Sequence, residues 1–459
     1  MDNQHLLLFQ IGPVQEFIAQ AETIGDLRVG SAILSQITAA ALRTIPSYEA
    51  TAVFPAVKKD ELDGIPNRFL VFVPAGRGEE LARAAADAAR NELRKMAEEA
   101  FPRTGLPDSR RTAYLRQVEA FLQTTWAVLK RPSGKMGSDY KTIGKLMALR
   151  RNVRAFDAWH EEGTGCVKDF LSGKEYALDV ADSQSANRNS GRGAMNLIKK
   201  VRAAEADCER CDLGDYIAVI ALDGDHMGEM LSRFETQIKH RAFSEKLAEF
   251  ARSVSVDPED GRLVYAGGDD VLAVVKASRA IPLARELARQ FTEMVKVEGI
   301  SASAGVAIGS SKAPLQDLIH EAHAAEGRAK HIYGRDALAV SVVKRSGEII
   351  HWGCKWNSRA FDIYDRLSKV RGDFSRFAYK LARFLMPYDF ASVKELDEAM
   401  RNIVWEETRH VLAQTEGAKV VLAEEMLKDY LWEDGVKKRP EDYLGLFLCE
   451  AFINRSREK

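Results

Sequence analysis

The sequence predicts an α+β protein: two ferredoxin-like units, an insert between them, and a helical bundle at the C-terminal end. Three observations carry that expectation. The first is Leu263-Val264-Tyr265-Ala266-Gly267-Gly268-Asp269-Asp270-Val271-Leu272-Ala273-Val274-Val275, two apolar, β-prone runs around a turn. Gly267 and Gly268 reach left-handed backbone without steric penalty, so the stretch reads as a β-hairpin. The second is Tyr216–Leu222, seven consecutive apolar or aromatic residues followed by Asp223-Gly224-Asp225. A strand with no polar alternation is buried on both faces and belongs in the middle of a sheet. The third is order. After that strand come a helical stretch to about Val254, the hairpin, a helix over about Ile281–Val297 and a strand at Ile300–Ile308. This β-α-β-β-α-β pattern is that of a ferredoxin-like fold. A helix over Pro314–Tyr333 and a strand at Ala337–Val343 extend it.

In such a topology the first strand runs antiparallel beside the third, so its end meets the tip of the hairpin. Asp223 is thereby expected beside Asp269 and Asp270. Clustered carboxylates raise one another's pKa, and a divalent cation relieves them. Palm-type nucleotidyl transferases hold magnesium in this way, with two ions about 3.5–4 Å apart clamping an in-line phosphoryl transfer. Asp223, Asp269 and Asp270 are therefore the expected catalytic residues and the expected ligands of Mg2+ or Mn2+. The plain alternative for the hairpin tip is a solvated turn. Gly224, Gly267 and Gly268 are expected where backbone approaches a nucleotide. Asp225 reads as a fourth metal-site acid beside the nucleotide or, before a helix, as an N-cap. His226 reads as a general base or as a bystander. Ser301-Ala302-Ser303-Ala304-Gly305 is rich in small residues, which suits close helix packing.

At 459 residues the chain is long enough for two to four domains. A hydrophobic share of 46% and a charged share of 29% are those of a soluble globular protein. A net charge of −1 excludes a broad basic surface, so contact with RNA must be local. No apolar run approaches the roughly 20 residues of a membrane span, and no signal peptide is recognisable. Five cysteines, odd in number and sparse, suit a reducing cytoplasm.

Taken in order, His5–Ile11 is an apolar strand broken by Gly12-Pro13, with Pro13 at home in the first turn of a helix. Val14, Phe17, Ile18 and Ala21 share one helical face, and a second helix runs over about Val29–Leu42. Ala52–Val57 and Arg68–Val73 read as strands, and Glu79–Ala100 as a long Ala- and charge-rich helix. This N-terminal unit, 1–106, has Gly-Pro where the later one has Asp-Gly-Asp, and reads as a scaffold without chemistry. The insert, 107–212, holds the apolar run Phe121–Leu129, a loop at Arg131–Ser138 and a helix over Lys141–Trp159 with Arg150, Arg151 and Arg154 clustered. Its polar run Ser183–Gly193, with Lys199, Lys200 and Arg202 behind it, reads as a contact for RNA phosphates or as an ordinary solvated face. The catalytic unit spans 213–350. From 351 to 459, Trp352, Trp356, Phe361, Tyr364 and Leu367 open a helical region. Phe374–Leu385, Val393–Ala413, Lys419–Trp432 and Leu444–Phe452 complete a bundle. Cys354 and Cys449 read as core.

Ile11-Gly12-Pro13-Val14-Gln15-Glu16-Phe17-Ile18-Ala19-Gln20-Ala21, followed by Asp26-Leu27-Arg28-Val29-Gly30-Ser31-Ala32-Ile33-Leu34-Ser35, resembles the opening of the large subunit of type III CRISPR effector complexes, in the Cmr branch. Pro66-Asn67-Arg68-Phe69-Leu70, the Asp223-Gly224-Asp225 strand end, Gly267-Gly268-Asp269-Asp270 and Leu338–Glu348 carry the resemblance on to about residue 350. It implies two palm domains, the second converting ATP into a signalling nucleotide, usually cyclic oligoadenylate, once the complex has bound target RNA. It implies as partners the other Cmr-type subunits, including the small helical subunit docked by the C-terminal tail, and the guide crRNA and target RNA. At Lys330, palm cyclases of this and related families place a phosphate-contacting lysine; the other reading is a late-helix lysine favoured by the dipole. Many members carry an HD nuclease. No His-Asp pair occurs in this sequence, so the resemblance does not extend to DNA cleavage. Members often carry a zinc-binding insert with two Cys-x-x-Cys pairs, whereas here only Cys208-Glu209-Arg210-Cys211 is such a pair. With His160 and Cys166 upstream, Cys208 and Cys211 make a donor set that structural zinc accepts; small buried cysteines are the alternative.

The implied chemistry is attack by a 3′- or 2′-hydroxyl on the α-phosphate of an ATP, with pyrophosphate leaving, driven by positioning and charge neutralisation. Two other readings stand. One is a stand-alone cyclase of the Gly-Gly-Asp/Glu-Glu-Phe type, against which the N-terminal motif argues. The other is a non-catalytic scaffold subunit, against which the intact acids argue. An AMP–metabolite conjugate is a further product that the sequence leaves open.

Overall fold

The computed structural model describes every residue except 1–3, 59–60, 63, 154–166, 180–190, 206–212, 370–374, 386–387, 389–395, 416–421, 434–439 and 458–459. Two compact units divide the chain: residues 1–210, 226–255 and 263–268 in one, and 211–225, 256–262 and 269–459 in the other.

In the first unit β1 (Gln4–Gly12), β2 (Ala52–Phe54), β3 (Arg68–Pro74) and β4 (Gln123–Leu129) form an antiparallel sheet in the order β2-β3-β1-β4. The helices between them are α1 (Gln15–Ala19), α2 (Ile24–Arg43), α3 (Tyr48–Thr51), α4 (Gly78–Ala100) and α5 (Arg111–Phe121). Pro13 follows a cis peptide bond and lies ahead of α1, outside it. α2 starts five residues before the expected Val29 because Thr23 and Asp26 form a capping box. The Thr23 hydroxyl accepts from the Asp26 N–H at 3.1 Å, and the Asp26 carboxylate accepts from the Thr23 N–H at 3.0 Å.

β4 comes from the stretch assigned above to the insert. Its register with β1, from Leu6 opposite Leu129 to Gly12 opposite Gln123, makes it the fourth strand of the first sheet, so the sheet reaches past residue 106. The β-branched and aromatic content of Gln123-Thr124-Thr125-Trp126-Ala127-Val128-Leu129 suits an edge strand with one wet face. Beyond it, α6 (Met136–Asn152) lays Met136, Ile143 and Met147 over Leu6, Leu8, Leu70 and Phe72. α7 (Ala194–Glu205) packs on α2 and α5. The single helical stretch expected up to Val254 is two helices, α8 (Met227–Arg233) and α9 (Gln237–Ser253), the second capped by the Thr236 hydroxyl. α9 is tied to the segment around β2: Ser244 Oγ accepts from the Ala56 N–H at 3.0 Å, and Arg241 donates to the Ala52 carbonyl at 3.1 Å.

The second sheet is built from β5 (Tyr216–Gly224), β6 (Gly261–Ala266), β7 (Asp270–Lys276), β8 (Ala302–Ser310), β9 (Ala337–Val343) and β10 (Ile349–Lys355). Their order is β10-β9-β8-β5-β7-β6. Read from the β6 edge, the first four strands repeat the order of the first sheet, which is the two-fold ferredoxin-like design the pattern predicts. β5 lies between β7 and β8, antiparallel to both, and Ala218–Leu222 are fully buried. α10 (Ala277–Val295) links β7 to β8, and α11 (Leu315–His331) links β8 to β9, which pair in parallel.

Residues 349–355 depart from expectation. They are a strand, not the opening of the helical region, and they pair antiparallel with β9 around Ser346-Gly347. Gly347 has φ +87, and Lys344 N–H reaches the Glu348 carbonyl at 2.9 Å. Ile350, Trp352 and Cys354 alternate inward, a period of two that belongs to a strand. The expected boundary at 350/351 therefore falls inside β10. The tail beyond is helical as read: α12 (Ala360–Ser368), α13 (Ser375–Leu385), α14 (Glu398–Ala413), α15 (Glu424–Leu431) and α16 (Pro440–Arg457). α16 rests on β10 at Gly445, where a Cβ would lie 2.0 Å from the His351 carbonyl oxygen. Cys354 and Cys449 are buried in this core and form no disulfide. No described helix is long and apolar enough to cross a membrane.

Candidate active site

β5 is paired on both sides, between β7 and β8, so its end is a rigid place from which to present a side chain. Asp223 lies directly opposite Asp270 on β7 and opposite Ser303 on β8. Residues opposite one another in adjacent strands put their side chains on the same face. The Gly224 N–H donates to the Asp269 carbonyl at 3.1 Å, which pins the backbone of the hairpin tip to the end of β5. Gly268 takes φ +92 to make the turn, a value that favours glycine.

The first sheet repeats this junction with other residues. Gln10 lies opposite Arg68, the first residue of β3, and the Ile11 N–H donates to the Asn67 carbonyl at 2.9 Å. Gln10, Asn67 and Arg68 thus stand where Asp223, Asp269 and Asp270 stand in the second sheet. Two amides and a guanidinium are poor ligands for a hard cation, which fits a unit without acid chemistry.

α11 brings two further charges to the junction. Gly305 of β8 has no side chain, and a Cβ there would lie 2.1 Å from both the Ala322 carbonyl oxygen and the Glu326 nitrogen. The helix backbone therefore rests on the strand. At that approach Lys330, in the last turn, pairs with Asp223 through Nζ and Oδ2, and with Glu326 at 2.7 Å. Glu326 and Lys330 are four residues apart on one helical face, a spacing readable in the sequence. Gly305→Ala is expected to lower stability by about 1–3 kcal/mol through forced displacement of α11. Urea denaturation checks it; an unchanged midpoint would refute the close packing.

The charges adjust to burial and to one another. Burial raises the pKa of Asp223, with Glu326 and Asp225 adding to it against the pull of Lys330. Burial works against the Lys330 ammonium, yet Asp223 and Glu326 outweigh it and hold the lysine above its ordinary value. Glu326 lies below its ordinary value because His323 and Lys330 together overcome its burial.

Asp225 is corrected on both expected readings. It is fully buried. Its carboxylate accepts from Ser301 Oγ at 2.8 Å, Ser303 Oγ at 2.8 Å and the Asp336 N–H at 2.9 Å. It caps no helix, for the N-cap of α8 is His226, in left-handed conformation at φ +55. Nor does it face outward to a nucleotide, because it is fully buried and its oxygens are taken by these donors. Its partners were missed in the sequence, although Ser301 and Ser303 alternate onto one face in the small-residue run. His226 has its Nδ1 3.5 Å from Glu229 one turn along, a surface pair.

Lys199 is also corrected. It is buried, donates to the Phe17 carbonyl at 2.7 Å and to the Gln20 carbonyl, and burial takes its pKa down to about 7. It cannot meet RNA phosphates. Arg202 bonds Gln36 at 3.1 Å, while Lys200, Arg150 and Arg151 are exposed. His160, Cys166, Cys208 and Cys211 of the expected zinc set lie outside the described residues, as do Arg154 and most of the polar run at 183–193. Among the described residues no group of three or more His, Cys, Asp and Glu is disposed to hold a metal ion. Strand register sets Asp223 opposite Asp270 and the Gly224 N–H holds the Asp269 backbone, but the carboxylate of Asp223 is engaged by Lys330 rather than clustered with the other two.

Two sheets of one strand order, with acids at the junction of the second alone, define a twin-palm protein. Residues 216–339 match the family described as Cas10/Cmr2, second palm domain, and residues 6–98 match CRISPR-associated protein Cmr2, N-terminal. The chain thus carries an N-terminal domain and a second palm domain of the Cas10/Cmr2 family. It is similar to the CRISPR system Cmr subunit Cmr2 of Pyrococcus furiosus, with 28% identity over 272 residues, which is 50% of this chain and 30% of that protein. The chain thus matches under a third of the length of that relative. In fold it resembles the apo state of a type III-B Cmr-beta complex, with a TM-score of 0.65 and 10% identity, covering 98% of this chain and 82% of that one. It also resembles a Csm1–Csm4 cassette in complex with cA4, with a TM-score of 0.55 and 13% identity, covering 99% of this chain and 70% of that one. At such identities the likeness is one of fold.

Proposed function

We propose that the chain is the large subunit of a type III CRISPR ribonucleoprotein and makes cyclic oligoadenylate from ATP when target RNA is bound. The observation that carries this reading is the junction in which register sets Asp223 against Asp270, the Gly224 N–H holds Asp269, and α11 delivers Lys330. The family-domain matches and a structural relative in complex with cA4 support it.

Asp223, Asp269 and Asp270 hold Mg2+ or Mn2+ in this reading. The donor chemistry fits, because carboxylates are the hard oxygen ligands such ions take; to join Asp269 and Asp270 around an ion, the Asp223 carboxylate has to turn from Lys330, which then is free for the phosphates. When bound there, such an ion would neutralise charge on the triphosphate and lower the pKa of the attacking hydroxyl. Lys330 supplies a further positive charge to the phosphates. Gly224, Gly267 and Gly268 leave room for the nucleotide against the backbone. The hydroxyl of one nucleotide attacks the α-phosphate of another, pyrophosphate leaves, and repetition closes the ring. No protein nucleophile takes part; the residues hold and orient. The other Cmr-type subunits, the guide crRNA and the target RNA are the proposed partners, in the cytoplasm.

Incubating the assembled complex with target RNA, ATP and Mg2+, and identifying products by mass spectrometry, tests the proposal. Cyclic oligoadenylate that appears only with target RNA is the expected result. An AMP conjugate would change the product, and unconsumed ATP would reduce the chain to a scaffold.

A further inference from the structure

Asp223-Gly224-Asp225 places two carboxylates on one face of β5, and the structure gives them different partners. Asp223 meets Lys330. Asp225 meets the loop that follows the helix carrying Lys330. After α11 ends at His331, Gly334, Arg335 and Asp336 have φ of +73, +63 and +47. Three consecutive left-handed residues, two of them bearing side chains, are not held by local preference. The bonds that hold them are visible. The Asp336 N–H donates to Asp225 Oδ2 at 2.9 Å, and Arg335 Nε stands 4.0 Å from Asp225 Oδ1. Lys355 Nζ donates to the Gly334 carbonyl at 2.8 Å and to that of Arg335. The Arg335 N–H returns to the Ala329 carbonyl at 3.1 Å, and the Trp356 N–H reaches the Asp336 carbonyl at 3.1 Å. Asp225 is itself fixed, buried between the Ser301 and Ser303 hydroxyls.

We propose that Asp225 is a positioning residue that, through the left-handed loop 334–336, fixes the end of α11 so that Lys330 stands at Asp223. One acid of the motif grips the lysine and the other grips the chain just beyond it. The clamp rests on geometry alone; only the effect on a nucleotide rests on the function proposed above.

Hydrogen–deuterium exchange on the full chain tests the clamp without reference to activity. Asp225→Ala is expected to speed exchange of the amides at 332–337 by about tenfold or more, while those of 217–222 keep their protection. Lys355→Met, which cuts the other anchor and removes no carboxylate, is expected to act in the same direction and decides the matter if Asp225→Ala does not fold. Calorimetric titration with ATP and Mg2+ supplies the second readout. Asp225→Ala and Lys330→Met are each expected to weaken ATP by about tenfold, and the double variant to be no weaker than either single one. Unchanged exchange at 332–337 in both loop variants, or additive losses in the double variant, overturns the proposal. A wild-type chain that binds no ATP removes the nucleotide function, and the exchange result still decides the clamp.

Discussion

Asp269→Ala combined with Asp270→Ala is expected to cut nucleotide synthesis by about 10^3-fold or more, since both remove charge that neutralises a polyanionic transition state. Folding should not suffer. Both residues are half-buried at a hairpin tip, and the bond that fixes the tip uses the Asp269 backbone carbonyl, which alanine keeps. Substitutions at half-buried positions outside the core usually change stability by about 1 kcal/mol or less, and removing two like charges acts in the stabilising direction. Product quantified by mass spectrometry and assembly followed by size-exclusion chromatography give the two arms. Paramagnetic resonance of Mn2+ gives a third that needs no turnover: the wild-type chain should bind the ion and the double variant should not. Persistent ATP consumption by the double variant would falsify the assignment of these acids.

What could be read in the residues was what apolar patterning controls. The unbroken run Tyr216–Leu222 announced a central strand, and Gly267-Gly268 between apolar arms announced the hairpin; from these the ferredoxin-like order put the first strand beside the third. The pairing of Asp223 with Asp270 follows from that order, and the structure has it. Polar side chains that fold inward could not be read. Lys199 follows a polar run and resembles a solvated lysine, yet it fills the space that Gly30 leaves, where a Cβ would lie 3.3 Å from Lys199 Cδ. It also satisfies carbonyls at the end of the short helix α1, groups a helix terminus cannot pair within itself. Asp225 looked like a cap because local spacing suggests caps, whereas its donors come from Ser301, Ser303 and Asp336, more than 70 residues away. β10 was misread because its tryptophan and isoleucines suit a helix as well as a strand, and only the turn at Ser346-Gly347 and the partner strand decide. Long-range contacts settle such cases, and a single sequence does not record them.

His240 is expected to make the fold less stable in acid. Its ring is fully buried on α9, 5.3 Å from the Tyr140 ring and 6.1 Å from that of Phe234, and neither nitrogen meets a hydrogen-bond partner from another residue. Burial opposes the charged imidazolium and lowers the pKa from 6.5 to about 4. The unfolded chain accepts the proton near 6.5 and the folded chain only near 4, so the unfolded state binds more protons between those values. The stability that a neutral His240 provides is complete above pH 6.5 and is lost as pH falls toward 4. At 1.36 kcal/mol per unit, the loss is about 2 kcal/mol at pH 5 and about 3 kcal/mol at pH 4. His240→Phe keeps an aromatic ring among Phe234, Phe243 and Tyr140 and removes two buried polar atoms. It is expected to match or exceed the wild type at pH 7.5, by up to about 1 kcal/mol, because no unpaired donor or acceptor is left inside. Urea denaturation of both proteins at pH 7.5 and pH 5 isolates the effect, since every other titrating group is common to the two. The gap in favour of the phenylalanine variant should widen by about 2 kcal/mol on acidification. Parallel losses in the two proteins would mean that the acid sensitivity lies elsewhere and that the buried His240 ring accepts a proton without cost to the fold.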